Sequence, residues 1–182
     1  MRKILAALLI FAFSIAIAKE IKHAVPAAEQ SIGEDDLHDV TFLNDNIGWA
    51  YSYGSGKVFS TSDSGASWKQ TASIGEGYFE QIHFIDENNG IITGGDKQIL
   101  MTKDGGHNWH NIAPREWVDE HTVYTYGLLY SHDKIMISST VVNNKTKSRQ
   151  SINYISRDKG KNWQAYESNS TGMLMNIVAD SV

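Results

Sequence analysis

One eight-residue unit occurs three times in this chain and constrains its fold more than any other feature. Thr61-Ser62-Asp63-Ser64-Gly65-Ala66-Ser67-Trp68 is matched by Thr102-Lys103-Asp104-Gly105-Gly106-His107-Asn108-Trp109 and by Ser156-Arg157-Asp158-Lys159-Gly160-Lys161-Asn162-Trp163. The shared pattern, Ser/Thr-x-Asp-x-Gly-x-x-Trp, suits a tight hairpin. The Asp carboxylate accepts backbone N–H groups two residues on. Glycine permits the positive φ of a turn, at Gly65, Gly106 and Gly160. Trp68, Trp109 and Trp163 open the following strand and bury a large area. A hydroxyl at the first position bonds across the turn.

The repeat extends upstream. Val40–Ala50 aligns with Ile82–Ile92, and both Phe42 to Phe84 and Gly48 to Gly90 are 42 residues apart. Asp63 to Asp104 is 41 residues and Asp104 to Asp158 is 54, so the third unit carries an insertion, assigned in part to a long polar hairpin loop over Asn143–Gln150. Apolar and polar residues alternate in short runs, four to a unit. The first unit reads as strands at His38–Leu43, Gly48–Tyr53, Lys57–Thr61 and Trp68–Ser73. The second reads as Gln81–Ile85, Gly90–Thr93, Gln98–Thr102 and Trp109–Ile112. The third reads as Thr122–Tyr130, Lys134–Val142, Ser151–Ser156 and Trp163–Tyr166. Four strands in about 40–45 residues is the pattern of a β-propeller blade. The chain is therefore expected to be all-β, with blades at about 37–76, 79–113 and 122–167 and the start of a fourth at 172–182.

The three motifs resemble Asp-boxes, also called bacterial neuraminidase repeats. The longer pattern, from Phe42 through Gly48 to Trp68, resembles the photosystem II assembly and stability factor family, and Asp-boxes also occur in sortilin-type ectodomains, sialidases and xyloglucan-cleaving glycosidases. The resemblance covers roughly residues 37–167. It implies a propeller and, through the assembly-factor family, a non-catalytic scaffold that recognises a protein partner, such as a membrane complex or its precursor. The alternatives are a carbohydrate-binding or relic glycosidase-like propeller, or a fragment of a longer one. Propellers close with about four to eight blades, so three leave an arc whose end faces invite association. A split gene product, a ring of two or more copies, or an irregular closing blade made by the tail with Lys19–Val25 each answers that problem. An incomplete propeller remedied by association is favoured.

Strand alternation puts the three motif turns on one face with the loops Asn44–Asn46 and Asp86–Asn89. The opposite face carries the variable segments Ser73–Tyr78, Ala113–His121 and Asn143–Gln150, where function is expected. Arg115-Glu116-Trp117-Val118-Asp119-Glu120-His121 is the richest of these. With Tyr78, the residues Arg115, Trp117, Asp119, Glu120 and His121 form the candidate binding set, Trp117 or Tyr78 serving as an aromatic plate for sugar or peptide. Asp63, Asp104 and Asp158 fall in separate blades, too far apart to converge, and are assigned a structural role. Arg115, Arg149 and Arg157 do not make a sialidase arginine triad, because Arg157 lies inside a motif. Asp119 and Glu120 are adjacent and point apart in a strand, so they do not form a glycosidase pair. The histidines, among them His107, His110, His121 and His132, show no metal-ligand spacing, and no metal or cofactor is expected. Lys145, Lys147 and Arg149 make a solvated basic tip.

Residues 1–18 read as an address. Arg2 and Lys3 precede an apolar run, and Ala16-Ile17-Ala18 fits a small-x-small cleavage site, giving a chain from Lys19 with a short segment 19–36 before the first blade. Fifteen helical residues rise about 22 Å, short of a hydrocarbon core of about 30 Å, so no transmembrane span is expected after cleavage. The full chain has 182 residues and a net charge of −5; removal of two cations makes it −7. That balance argues against a general nucleic-acid binder. The expected location is periplasmic or secreted, yet the chain has no cysteine for disulfides, so its stability rests on packing.

Overall fold

A computed structural model describes residues 36–167 apart from Glu76, Asp96 and Val118. The expected signal peptide at 1–18, nearly all of the segment 19–36 and the fourth-blade strand at 172–182 lie outside the described residues. Among the described residues twelve strands form three four-stranded antiparallel sheets. The first runs β1 (Leu37–Phe42), β2 (Gly48–Ser52), β3 (Lys57–Thr61), β4 (Lys69–Ser73). The second runs β5 (Phe79–Phe84), β6 (Gly90–Gly94), β7 (Ile99–Thr102), β8 (His110–Asn111). The third runs β9 (His121–Ser131), β10 (Lys134–Asn143), β11 (Arg149–Ser156), β12 (Gln164–Glu167). Each sheet pairs its strands in sequence order, as propeller blades do.

The motif builds the same turn three times. Thr61 Oγ1 donates to Asp63 (2.7 Å) and accepts from Gly65 N (3.0 Å). Thr102 does the same with Asp104 (2.8 Å) and Gly106 N (3.0 Å). Ser156 repeats it with Asp158 (2.9 Å) and Gly160 N (2.8 Å). The carboxylate differs from expectation: it accepts the backbone N–H four residues on, from Ser67 (2.8 Å), Asn108 (2.9 Å) and Asn162 (2.9 Å). The side chains of those residues donate to the second carboxylate oxygen. The two-residue bond belongs instead to the loops after β1 and β5, where Asn44 and Asp86 accept from Asn46 N (2.9 Å) and Asn88 N (2.8 Å). Trp68, Trp109 and Trp163 fall one residue before β4, β8 and β12 and are half-buried.

Blades join through apolar faces. Trp49 on β2 stacks on Phe84 of β5 with ring centroids 3.8 Å apart and planes 4° from parallel. Its indole N–H donates to Gly105 O in the second motif turn (3.0 Å). Tyr51 packs edge-on to Phe79 and donates its hydroxyl to Phe79 O. Between the second and third blades, Ile91, Ile99 and Met101 meet Val123, Tyr130, Ile135 and Ile137 in one buried cluster. Trp163 donates to Ile112 O (2.8 Å) across the same boundary.

The third blade departs from the reading of a long loop. The insertion lengthens β9, β10 and β11 into a tall sheet paired up to Val142 and Arg149. Only a short turn, closed by Asn143 N to Ser148 O (2.9 Å) and Lys147 N to Asn143 O (2.8 Å), caps it.

Candidate functional site

The variable loops meet on the face away from the motif turns. On the motif side, Ser64 N donates to Asn46 O and Gly105 N to Asn88 O, tying each turn to the first loop of its blade. On the other side, Asn144 N donates to Glu120 O (2.8 Å), joining the blade connection to the β10–β11 turn. Asp119 pairs with Lys97 of the β6–β7 loop (3.3 Å) and Glu120 with Lys145. The expected candidate residues therefore separate. Asp119 and Glu120 lie in a turn rather than a strand, and their charges go to two lysines. Such exposed pairs hold loops together weakly, at about 0–1 kcal/mol each. His121 opens β9 opposite Asn143.

Trp117 is not an aromatic plate. Its backbone N–H closes a turn onto Pro114 O (3.1 Å), and the ring turns inward to meet Tyr154 edge-on at 5.2 Å. It is 7% exposed and belongs to the core shared by the second and third blades. Tyr78 is 60% exposed and lies 5.7 Å from the exposed Tyr53, centroid to centroid.

Arg115 lies in a different setting. It lines a cleft of about 660 Å³ between the outer strand of the second blade and the third motif turn. Lys103, His110, Lys159 and Lys161 line it with Arg115, beside a single acid, Glu116, and the apolar residues Ile112, Ala113 and Trp163. Lys159 sits at φ 59°, a left-handed conformation that a side chain adopts at a cost; the second motif has Gly105 at that place, with φ 72°. A groove lined by cationic and apolar side chains suits an extended segment that carries acidic and apolar residues. Four sequence segments, spread from Lys103 to Trp163, contribute to it, and no single one signals it.

The three motif carboxylates are held at about pKa 2, chiefly because the side chains of Ser67, Asn108 and Asn162 donate to them. They stay ionised at neutral pH, and each is saturated by its own turn. Among the described residues no group of three or more His, Asp or Glu side chains is placed to hold a metal. No helix there is long and apolar enough to cross a membrane.

The model of one protein family, described as sortilin, neurotensin receptor 3 (Sortilin-Vps10), matches residues 56–178. The chain belongs to the Sortilin-Vps10 family. No curated protein matches it in sequence. Among solved structures, YCF48 bound to a D1 peptide is similar over 72% of this chain and 39% of that one, at 21% identity and a TM-score of 0.53. YCF48 from Cyanidioschyzon merolae is similar over 72% and 37%, at 21% identity and a TM-score of 0.50. The GH74 xyloglucanase from Xanthomonas campestris is similar over 71% and 21%, at 14% identity and a TM-score of 0.55. At such identities the likeness shows the propeller fold alone, and this family member spans well under half the length of the structures it resembles.

Proposed function

We propose that the chain is an exported, non-catalytic propeller scaffold that binds an extended, acidic segment of a partner protein in the cleft between its second and third blades. The observation that carries this reading is the concentration of Lys103, His110, Arg115, Lys159 and Lys161 around one groove in a chain of net charge −5. A YCF48 structure that holds a D1 peptide supports the use of this fold for peptide recognition. Labelled ten-residue peptides of alternating Glu and Leu are the probe, with Lys–Leu peptides as control. Anisotropy titration should show binding of the acidic series alone, weakening steeply with salt and at least tenfold in Arg115→Glu/Lys161→Glu. Equal binding of both series, or no loss in the double variant, overturns the reading.

A second reading has its own observation. The exposed pair Tyr53–Tyr78, with His38 5.2 Å from Tyr53, offers aromatic faces of the kind a sugar stacks on. A xyloglucan oligosaccharide titrated against wild type and Tyr78→Ala tests it; no binding excludes it.

A further inference from the structure

The repeat allows each face of each blade to be compared with its equivalents. Phe42 pairs with Gly48 as Phe84 pairs with Gly90, and the 42-residue offset places Leu37, Val40 and Phe42 on Phe79, Ile82 and Phe84. In the second blade these three are 1%, 4% and 3% exposed, because Trp49 and Tyr51 of the first blade lie on them. In the first blade they are 41%, 49% and 45% exposed. Among the described residues, the leading face of the first blade thus keeps the apolar residues of an inter-blade joint with no blade covering them.

The other end supplies the complement. Gly48 pairs with Thr61, Gly90 with Thr102 and Ile135 with Ser156, so Met136 is the equivalent of Trp49 and Ile91, the residues that reach the next blade. Met136 pairs with Leu129 on one side and Ile155 on the other, and directly paired residues share a face. All three are only half-buried. Tyr124, opposite Thr140, and Tyr166, opposite Asn153, extend the same face and are exposed.

We infer that this chain docks head to tail on a second copy of itself, Leu37, Val40 and Phe42 of one protomer packing on Leu129, Met136, Tyr124 and Tyr166 of the other. The occupant is a second copy because the trailing face of a blade of this repeat is what covers a leading face at both joints inside the chain. The three described blades of two copies make six, a number at which propellers close, so a two-fold ring accommodates both contacts.

The test uses the full chain expressed with its leader, its N-terminus after processing read by mass spectrometry. Light scattering after size exclusion at about 50 μM should give twice the protomer mass. Val40→Glu and Tyr124→Glu, each checked for folding by circular dichroism, should each give a monomer. Mixed together they should return a two-protomer species, because one intact joint remains possible between them. A folded wild-type monomer overturns the inference, and so does a dimer that survives both variants. Failure of the mixture to pair, with both variants folded, overturns the head-to-tail geometry.

Discussion

Phe42 and Phe84 are the same residue at the same place in two blades, yet one is 45% exposed and the other 3%. Truncating each to alanine separates what the blade itself contributes from what the neighbouring blade adds. Phe84→Ala removes a fully buried ring that stacks on Trp49 at 3.8 Å and meets Trp109 edge-on at 6.1 Å. Such a deletion costs about 3–5 kcal/mol, transfer and cavity together, including about 0.5–1.5 kcal/mol for an aromatic pair. Phe42 meets Trp68 edge-on at 6.1 Å and buries about half its surface, so Phe42→Ala should cost about 1–2 kcal/mol. Urea denaturation followed by circular dichroism at about 1 μM measures both. Against a total stability of about 5–15 kcal/mol, Phe84→Ala should shift the midpoint conspicuously. Raising the protein concentration should leave the Phe84→Ala difference unchanged but enlarge the Phe42→Ala difference, as an interface lost on truncation requires. Equal costs at 1 μM would refute the argument that cover by a preceding blade sets the energetics of this position.

Other outcomes follow from the turns. Asp63, Asp104 and Asp158 titrate at about 2 when folded, below the usual 3.8, so their stabilisation is present above about pH 4 and lost as pH falls toward 2. Acid titration monitored by circular dichroism should show that decline, and Asp104→Asn should flatten part of it. Gly65→Ala meets only the strain of φ 83°, about 1–2 kcal/mol, since the new Cβ has no atom nearer than 3.6 Å. Gly160→Ala should cost more by thermal melting, because its Cβ would stand 2.4 Å from Ile112 Cδ1 and 3.0 Å from its Cβ. Lys159→Gly should leave stability unchanged or raise it by up to about 1 kcal/mol, through relief of the left-handed side chain. The same variant should weaken binding of the acidic peptide, which separates the role of Lys159 in the cleft from any role in folding.

The motif and its spacing make the strands legible to within a residue or two in most cases, because hairpin turn, glycine and tryptophan recur in phase. The exception is β8, read as Trp109–Ile112 and found as His110–Asn111 alone. There Asn111 Oδ1 accepts from both Ala113 N (2.9 Å) and Ile99 N (3.3 Å), so a side chain stands where a backbone carbonyl would continue the ladder. A polar insertion looks like a loop when its partner strand is unknown; cross-strand pairing of Val141 with Gln150 and Val142 with Arg149 makes it strand. Trp117 misleads for a related reason. Its sequence neighbours are charged, and only the fold brings Tyr154, 37 residues on, to receive it. The cleft is less legible still, since it exists only where two blades abut.

The apolar joints between the described blades give the chain a direction, since Trp49 and Ile91 each face the blade that follows their own. Trp49 reaches forward to Gly105, and the leading faces of the second and third blades are filled by a blade made earlier in synthesis. A chain emerging N-terminus first thus presents every new blade with a finished template, as nearest-neighbour stacking in repeat proteins favours. The pace of assembly is thereby tied to synthesis: the second blade folds on Trp49 and Tyr51 only after the first has made them available.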